Sequence, residues 1–199
     1  MKKFILTLTA LLFSCAYTWA YEQVTGGPWN TIFGETVSQI EKKIKTAYPN
    51  AELKIFANEQ ISILSDVQVA GEVFSGGTFL FRDNKFAMCM FNKSVQYENA
   101  FSNHLNYKQA EQWLVANRYK VDQIVNPLKN LISGKYGTPF KNAENDIMWR
   151  DNKGNIIQII IERDTNIAAD NIEFTNMYGC LPSYSIVLIY VEPNDIPDF

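Results

Sequence analysis

The sequence predicts an α+β domain, with an antiparallel sheet of about six or seven strands and helices packed on one of its faces. Three observations lead to this fold class. Segments with two-residue alternation occur in runs with short turns between them, which is typical of antiparallel strands. Segments with helical spacing lie before and between these runs. Single strands do not alternate with helices, so a parallel sheet of the Rossmann type is excluded.

The N-terminal segment has the pattern of a secretory signal peptide. Two lysines precede an apolar run at residues 4–13, which is shorter than the roughly 20 residues that a transmembrane helix needs. Thr18 and Ala20 are small residues at positions suited to a cut after Ala20. We therefore expect residues 1–20 to be removed and residues 21–199 to form a single domain, in the periplasm or secreted from the cell.

Residues 12–15, Leu-Phe-Ser-Cys, also resemble the lipobox of bacterial lipoproteins. Phe13 departs from that motif, because its position usually holds a small or β-branched residue. The cut after Ala20 is therefore favoured, and a lipid anchor on Cys15, which would tether the protein to a membrane, is the alternative. No second apolar run of about 18 residues follows, so the sequence predicts no transmembrane segment.

The net charge of the predicted mature chain limits the kinds of molecule that it is expected to bind. Removal of residues 1–20 takes away two lysines and no acidic residue, which leaves 16 basic against 21 acidic side chains and a net charge of −5. This balance argues against a nucleic-acid partner, which needs a basic surface, and we expect none.

The first helix is predicted to begin after Thr36. Gln39 stands three residues later and completes a capping box, and Pro49 ends the helix. Its apolar face has helical spacing and consists of Val37, Ile40, Ile44 and Ala47.

Residues 51–91 predict two hairpins. The first turns at residues 57–59, and the second turns at Asp83-Asn84, because both of these residues tolerate a positive φ. Gly76-Gly77 predicts a bulge or a bend between strand segments.

The second half predicts a loop, two helices and three more strands. Residues 92–106 show neither period and predict the loop. Helical spacing follows over 107–118 and again over 121–137, where Pro127 predicts a kink or the true start of the second helix. The strands then cover 146–151, 155–163 and 183–192, with a turn at residues 152–154 and an aperiodic stretch at residues 164–182.

Several short motifs of the sequence resemble those of a class of uncharacterised secreted bacterial proteins. These have a Gly-x-Pro-Trp-Gly opening, a Lys-Tyr-Gly-x-Pro segment after a helix, a Trp-bearing hairpin and a last strand that ends near a tyrosine. The matching residues are Gly26, Pro28 and Trp29, with Asn30 in place of the glycine, then Lys135 to Pro139, Trp149 and Tyr190. The resemblance covers about residues 24–192. It implies a β-lactamase-inhibitor-like architecture by fold analogy only, and it implies no catalytic residue.

The sequence contains no recognisable catalytic or cofactor motif. His104 is the only histidine, and neither a nucleophile elbow nor metal-ligand spacing accompanies it. We therefore expect no metal and no cofactor. A hydrolytic pair of carboxylates is defined by its spacing in the folded protein, so the sequence alone does not identify one. Glu72, Asp83, Glu162 and Asp164 are candidates only in the sense that any carboxylate is.

Aromatic residues in the two aperiodic stretches favour a binding role. They lie among Asn and Ser, a composition that suits adaptable contacts. The candidates are Tyr97, Phe101, Tyr107, Phe174 and Tyr178. The sequence thus predicts an extracytoplasmic binding or interaction module for an envelope or extracellular protein or glycan. The alternative is an envelope hydrolase that uses a carboxylate pair.

Cys89 and Cys180 are expected to stay unbridged. If the last strands follow residues 86–91 as a simple meander, three strand spacings of about 4.8 Å separate the two elements. A disulfide needs Cα atoms within about 7 Å of one another.

Overall fold

The computed structural model describes residues 21–57, 59–97, 105–164 and 181–193. Its two helices are α1 (Val37–Ala47) and α2 (Tyr107–Tyr136). The ten strands are β1 (Leu53–Phe56), β2 (Gln60–Ile63), β3 (Val67–Val69), β4 (Glu72–Phe74), β5 (Gly77–Arg82), β6 (Lys85–Gln96), β7 (Phe140–Lys141), β8 (Ile147–Arg150), β9 (Ile156–Asp164) and β10 (Ser183–Val191).

Eight strands form one antiparallel sheet in the order β1-β2-β5-β6-β10-β9-β8-β7, and β3 and β4 form a separate hairpin. The predicted α+β class with a large antiparallel sheet is confirmed, and the strand count is higher than the six or seven expected. We call the side that carries α1, α2 and the β3–β4 hairpin the covered face, and the other side the open face.

Helix α1 begins where the sequence predicts. The Thr36 side chain accepts from the Gln39 amide, and the Gln39 side chain accepts from the Thr36 amide at 2.9 Å, which completes the capping box. Both bonds satisfy donors that a helix start leaves unpaired. Val37, Ile40 and Ile44 are buried and anchor the helix on the covered face.

Helix α2 is one continuous helix of 30 residues, not two. Pro127 lies inside it and is exposed, so its ring meets solvent while the opposite face stays in the core. The buried residues run through the whole length at helical spacing and include Leu114, Val125 and Ile132. Their burial outweighs the one backbone hydrogen bond that proline removes.

The last strand overturns the predicted meander. β10 lies between β6 and β9, so Tyr190 pairs with Cys89 on one side and with Ile157 on the other. β9 and β10 both have nine residues and β6 has 12, so β10 finds full-length partners on both sides. Cys89 is buried and carries a free thiol, and Cys180 lies outside the described residues.

The predicted loop at 92–106 is wrong for its first part, because β6 continues to Gln96. Phe91, Lys93 and Val95 alternate toward the covered face and keep the strand in register with β10. The predicted turn at Asp83-Asn84 is present, and both residues have positive φ, at 50° and 61°.

Candidate functional site

Three strand ends that are distant in sequence lie side by side at one edge of the sheet. β6 ends at Gln96, β9 ends at Asp164 and β10 begins at Ser183. Ser183 lies opposite both Gln96 and Asp164 in the register of the sheet. The two aperiodic stretches in which the sequence predicts binding residues therefore connect to the same edge.

A cleft of about 640 Å³ opens at these strand ends. We call it the polar cleft. Its lining residues are almost all polar: Asn92, Ser94, Gln96, Glu162, Arg163, Asp164, Ser183 and Ser185. Two rungs cross the sheet here, because Ser183 pairs with Gln96 and Asp164, and Ser185 pairs with Ser94 and Glu162. Side chains of one rung point to one face, so the cleft belongs to the open face.

The charge on the open-face side of the polar cleft is negative. Glu162 and Asp164 are two positions apart on β9 and so project from the same face. Arg163 projects from the covered face, where its guanidinium donates to Glu111 Oε2 at 2.6 Å. Ser185 Oγ donates to Asn92 Oδ1 at 2.9 Å. The cleft thus presents hydroxyl, amide and carboxylate groups beside one another.

An apolar band continues from the polar cleft along the open face. Its side chains are half-buried and come from adjacent strands: Met88, Met90, Ile160, Val187 and Ile189. Within the described part of the chain, both helices and the β3–β4 hairpin pack on the opposite side. Methionine side chains adapt to irregular partner surfaces, so this band suits contact with another molecule.

Two of the five predicted binding aromatics lie within the described residues. Tyr97 follows the end of β6, and its half-buried ring meets the Trp113 ring edge-to-face at 6.0 Å. Tyr107 is the first residue of α2 and is 36% exposed. Phe101, Phe174 and Tyr178 lie outside the described residues, as does His104. The structure therefore packs the Tyr97 ring against α2, away from the lining of the polar cleft, and leaves Tyr107 accessible.

The four carboxylate candidates do not converge. Glu72 Oε2 pairs with Lys93 Nζ at 3.0 Å on the covered face. Asp83 lies in the turn between β5 and β6, at the far end of the sheet from the polar cleft. Glu162 and Asp164 alone come together, as neighbours on one strand. A glycosidase pair flanks the bond that it cleaves, and these two carboxylates project side by side instead.

The described residues form neither a cluster suited to a metal ion nor a membrane-spanning helix. No group of three or more His, Cys, Asp or Glu residues is placed to hold a metal ion within the described ranges. Neither described helix is long and apolar enough to cross a membrane.

No family model matches the chain, and neither a curated protein nor a solved structure is significantly similar to it. Residues of the motifs named in the sequence analysis contact one another or line the same cavity. Trp149 is buried in the core, where its indole N–H donates to the Gly137 carbonyl at 3.0 Å. Gly26, Trp29, Lys135 and Tyr190 surround one cavity on the covered face.

The sequence interpretation missed most residues of the polar cleft. Asn92, Ser94 and Gln96 were assigned to a loop, although each alternates with a covered-face residue of β6. That alternation was a usable signal, since Phe91, Lys93 and Val95 keep a period of two. The serines of β10 carried no signal of their own, because only the position of β10 next to β6 brings them to the cleft.

Proposed function

We propose that the protein is an extracytoplasmic binding module whose open sheet face recognises a protein partner. The observation that carries this proposal is the continuous surface formed by the polar cleft and the apolar band. Polar rungs at Ser183 and Ser185 pass into half-buried aliphatic rungs at Val187 and Ile189 along the same strand. A hydrogen-bonding region beside an apolar region is the usual anatomy of a protein interface.

A protein is favoured over a glycan because of the chemistry of the apolar part. Saccharide rings stack on aromatic faces, whereas the centre of the open face carries Met88, Met90 and Ile189. Flexible thioether side chains fit themselves to protein surfaces of irregular shape. The Glu162 carboxylate in the polar cleft further favours a partner with basic or hydroxyl groups at this end.

The location outside the cytoplasm rests on the signal-peptide pattern of residues 1–20. The intact mass of the protein isolated from an envelope fraction tests it. We expect a chain that begins at Tyr21. A diacylated Cys15 would instead make the protein a membrane-anchored lipoprotein with the same binding face.

Site-specific photo-crosslinking tests the binding face. A benzophenone amino acid replaces Ser185 in the polar cleft, and in a matched control it replaces Lys129, which is exposed on α2. We expect the Ser185 variant to form one discrete protein adduct in the native envelope, and the Lys129 variant to form none. Ile189→Asp should abolish that adduct, because it places a charge in the apolar band.

Equal crosslinking from both positions would contradict the proposal. Retention on purified envelope polysaccharide that is lost in Ile189→Asp, with no protein adduct, would assign the face to a glycan. Hydrolysis of an envelope substrate that depends on Glu162 or Asp164 would favour the hydrolase.

A further inference from the structure

A second cavity, of about 430 Å³, lies on the covered face, away from the polar cleft. Three segments enclose it: the loop at residues 25–32, the turn of the β3–β4 hairpin, and the C-terminal part of α2. Cavities of this size are typical of small-molecule sites. The apolar side chains of Val69 and Ile132 line the wall of the cavity, and Trp29 lies at one side.

The loop at residues 25–32 is held tightly against the sheet. A Cβ at Gly26 would lie 1.9 Å from the Thr31 carbonyl oxygen, and a Cβ at Gly27 would lie 2.6 Å from Cys89 Sγ. Trp29 adopts a φ of 58°, which is rare for a bulky residue. Its indole N–H donates to the Gln68 carbonyl at 3.3 Å, which ties the loop to strand β3 of the β3–β4 hairpin. The cavity walls are therefore fixed by packing and hydrogen bonds.

Tyr190 forms the floor of the cavity and has an unused donor. Its side chain reaches the cavity from the centre of the sheet, and the residue is 7% exposed. Its hydroxyl makes no hydrogen bond with any residue in the described part of the chain. Tyr184 lies on the same face of β10, and its hydroxyl donates to the Leu114 carbonyl at 2.7 Å. A hydroxyl that has no acceptor among the described residues and belongs to a residue lining a cavity is available to a molecule bound there, whereas the Tyr184 hydroxyl is already used.

A cation and a second phenol accompany Tyr190. Lys135 is the charged residue among the described residues that line the cavity. Its Nζ lies 5.1 Å from the Tyr136 ring centroid and 3.1 Å from Glu22 Oε2. Partial burial lowers the pKa of Lys135, but hydrogen bonds with Tyr136 and Glu22 raise it above its ordinary value, so the ammonium stays charged. Burial raises the pKa of Tyr190 well above its ordinary value, so its hydroxyl stays a donor.

We propose that this cavity binds a small carboxylate with an apolar or aromatic body. The carboxylate accepts from the Tyr190 hydroxyl and is attracted by the Lys135 ammonium, while the body packs against Trp29, Val69 and Ile132. The carboxylate of the ligand thus provides a hydrogen-bond acceptor for the Tyr190 hydroxyl, for which the described residues provide none. This site is independent of the partner proposed for the open face, because the two lie on opposite faces of the sheet.

NMR titration of the isotope-labelled exported protein tests the site with three probes that share one ring. Benzoate is the carboxylate, benzamide is its neutral analogue and benzylamine is its cationic analogue. We expect saturable shifts of the Gly26 and Gly27 amides with benzoate at millimolar concentration, at least fivefold weaker binding of benzamide, and no saturable shift with benzylamine.

Two matched variants separate ligand binding from structure. Tyr190→Phe should weaken benzoate binding about tenfold and should melt no lower than the parent, because it removes a buried hydroxyl that has no partner. Tyr184→Phe should bind benzoate like the parent but melt lower, because it loses the bond to Leu114. The proposal is overturned if benzoate produces no saturable shift, if Tyr190→Phe binds it equally well, or if Tyr190→Phe melts as low as Tyr184→Phe.

Discussion

Strand β10 has two faces of different chemistry, although every residue on it has the same two neighbouring strands. On the covered face Tyr184, Ile186, Leu188 and Tyr190 are at most 7% exposed. On the open face Ser183, Ser185, Val187 and Ile189 are half-buried, and only Val191 at the end of the strand is buried, at 4% exposure. The covered face determines the fold through burial, and the open face is the one that we propose for recognition. The proposal therefore predicts that stability and binding can be changed separately on one strand.

The largest expected effect comes from neighbouring residues on the two faces. Leu188 is fully buried, so Leu188→Ala should lower the free energy of unfolding by about 2–5 kcal/mol. Ile189→Ala removes a half-exposed side chain and should cost about 1 kcal/mol. Urea denaturation of both variants measures the difference. Equal losses would show that the open face is also covered in the folded protein.

A gain in stability is expected from the helix that builds the covered face. Pro127 is exposed inside α2, and Pro127→Ala restores a hydrogen-bond donor there. We expect a gain of about 1–3 kcal/mol in the free energy of unfolding. Gly134→Ala in the same helix is the matched control, because its Cβ would meet open space, and it should gain about 0.5–1 kcal/mol. A loss for Pro127→Ala with a gain for Gly134→Ala would mean that the fold requires a bend at Pro127.

The core around Cys89 disfavours a charged thiolate, which predicts a pH dependence of about 1.4 kcal/mol per pH unit in the alkaline range. Burial raises the pKa of Cys89 well above its ordinary value, against the lowering effect of a hydrogen bond from the Tyr190 backbone. The unfolded thiol ionises near pH 8.5 while the folded thiol stays protonated, so the unfolded state binds fewer protons above that pH. The contribution of this thiol to stability should therefore be constant below about pH 8 and fall as the pH rises above 8.5.

Urea denaturation at pH 7.5, 8.5 and 9.5 measures this slope. Cys89→Ala should be less stable at pH 7.5 but should lose the part of the slope due to this thiol. An unchanged slope in Cys89→Ala would assign the pH dependence to other groups.

The smallest change is expected from reducing agents. Ser183 pairs with Gln96, seven residues along β6 from Cys89, which corresponds to about 24 Å. Cys180 precedes Ser183 by three residues, whose full reach is about 11 Å. The remaining gap exceeds the roughly 7 Å that a disulfide allows between Cα atoms, so reduction should not alter stability. Thiol titration of the unfolded, unreduced protein should find both cysteines free, and a monomer with no free thiol would contradict the register of β10.

Local features were predictable from the sequence, whereas the order of the strands was not. The capping box of Thr36 and Gln39 and the turn at Asp83-Asn84 depend on neighbours within four residues, so the sequence contains their full physical cause. The position of β10 depends on β6, about 90 residues earlier in the chain. No local sequence pattern distinguishes a strand that inserts between β6 and β9 from one that adds at the edge of the sheet.

The same limit explains what was missed of the candidate site. Residues Asn92 and Ser94 are unremarkable as polar residues in the sequence, and they become a cleft only when β10 brings Ser185 beside them. Tyr190 was recognised only as part of a motif. Its unused hydroxyl follows from the shape of the cavity above it, which three distant segments enclose.

Because β10 lies at the centre of the sheet, the fold can be completed only after this strand is available. β1 to β6 and β7 to β9 form two groups of strands, and β10 alone joins them in the sheet. Until residues 183–191 have emerged, β6 and β9 each have an unpaired edge and the core between the groups is open. Synthesis delivers the chain from its N-terminus, so the sheet closes only after residues 183–191 have been made. For the export that we propose, this order keeps the chain open enough to pass through a membrane pore before the sheet closes.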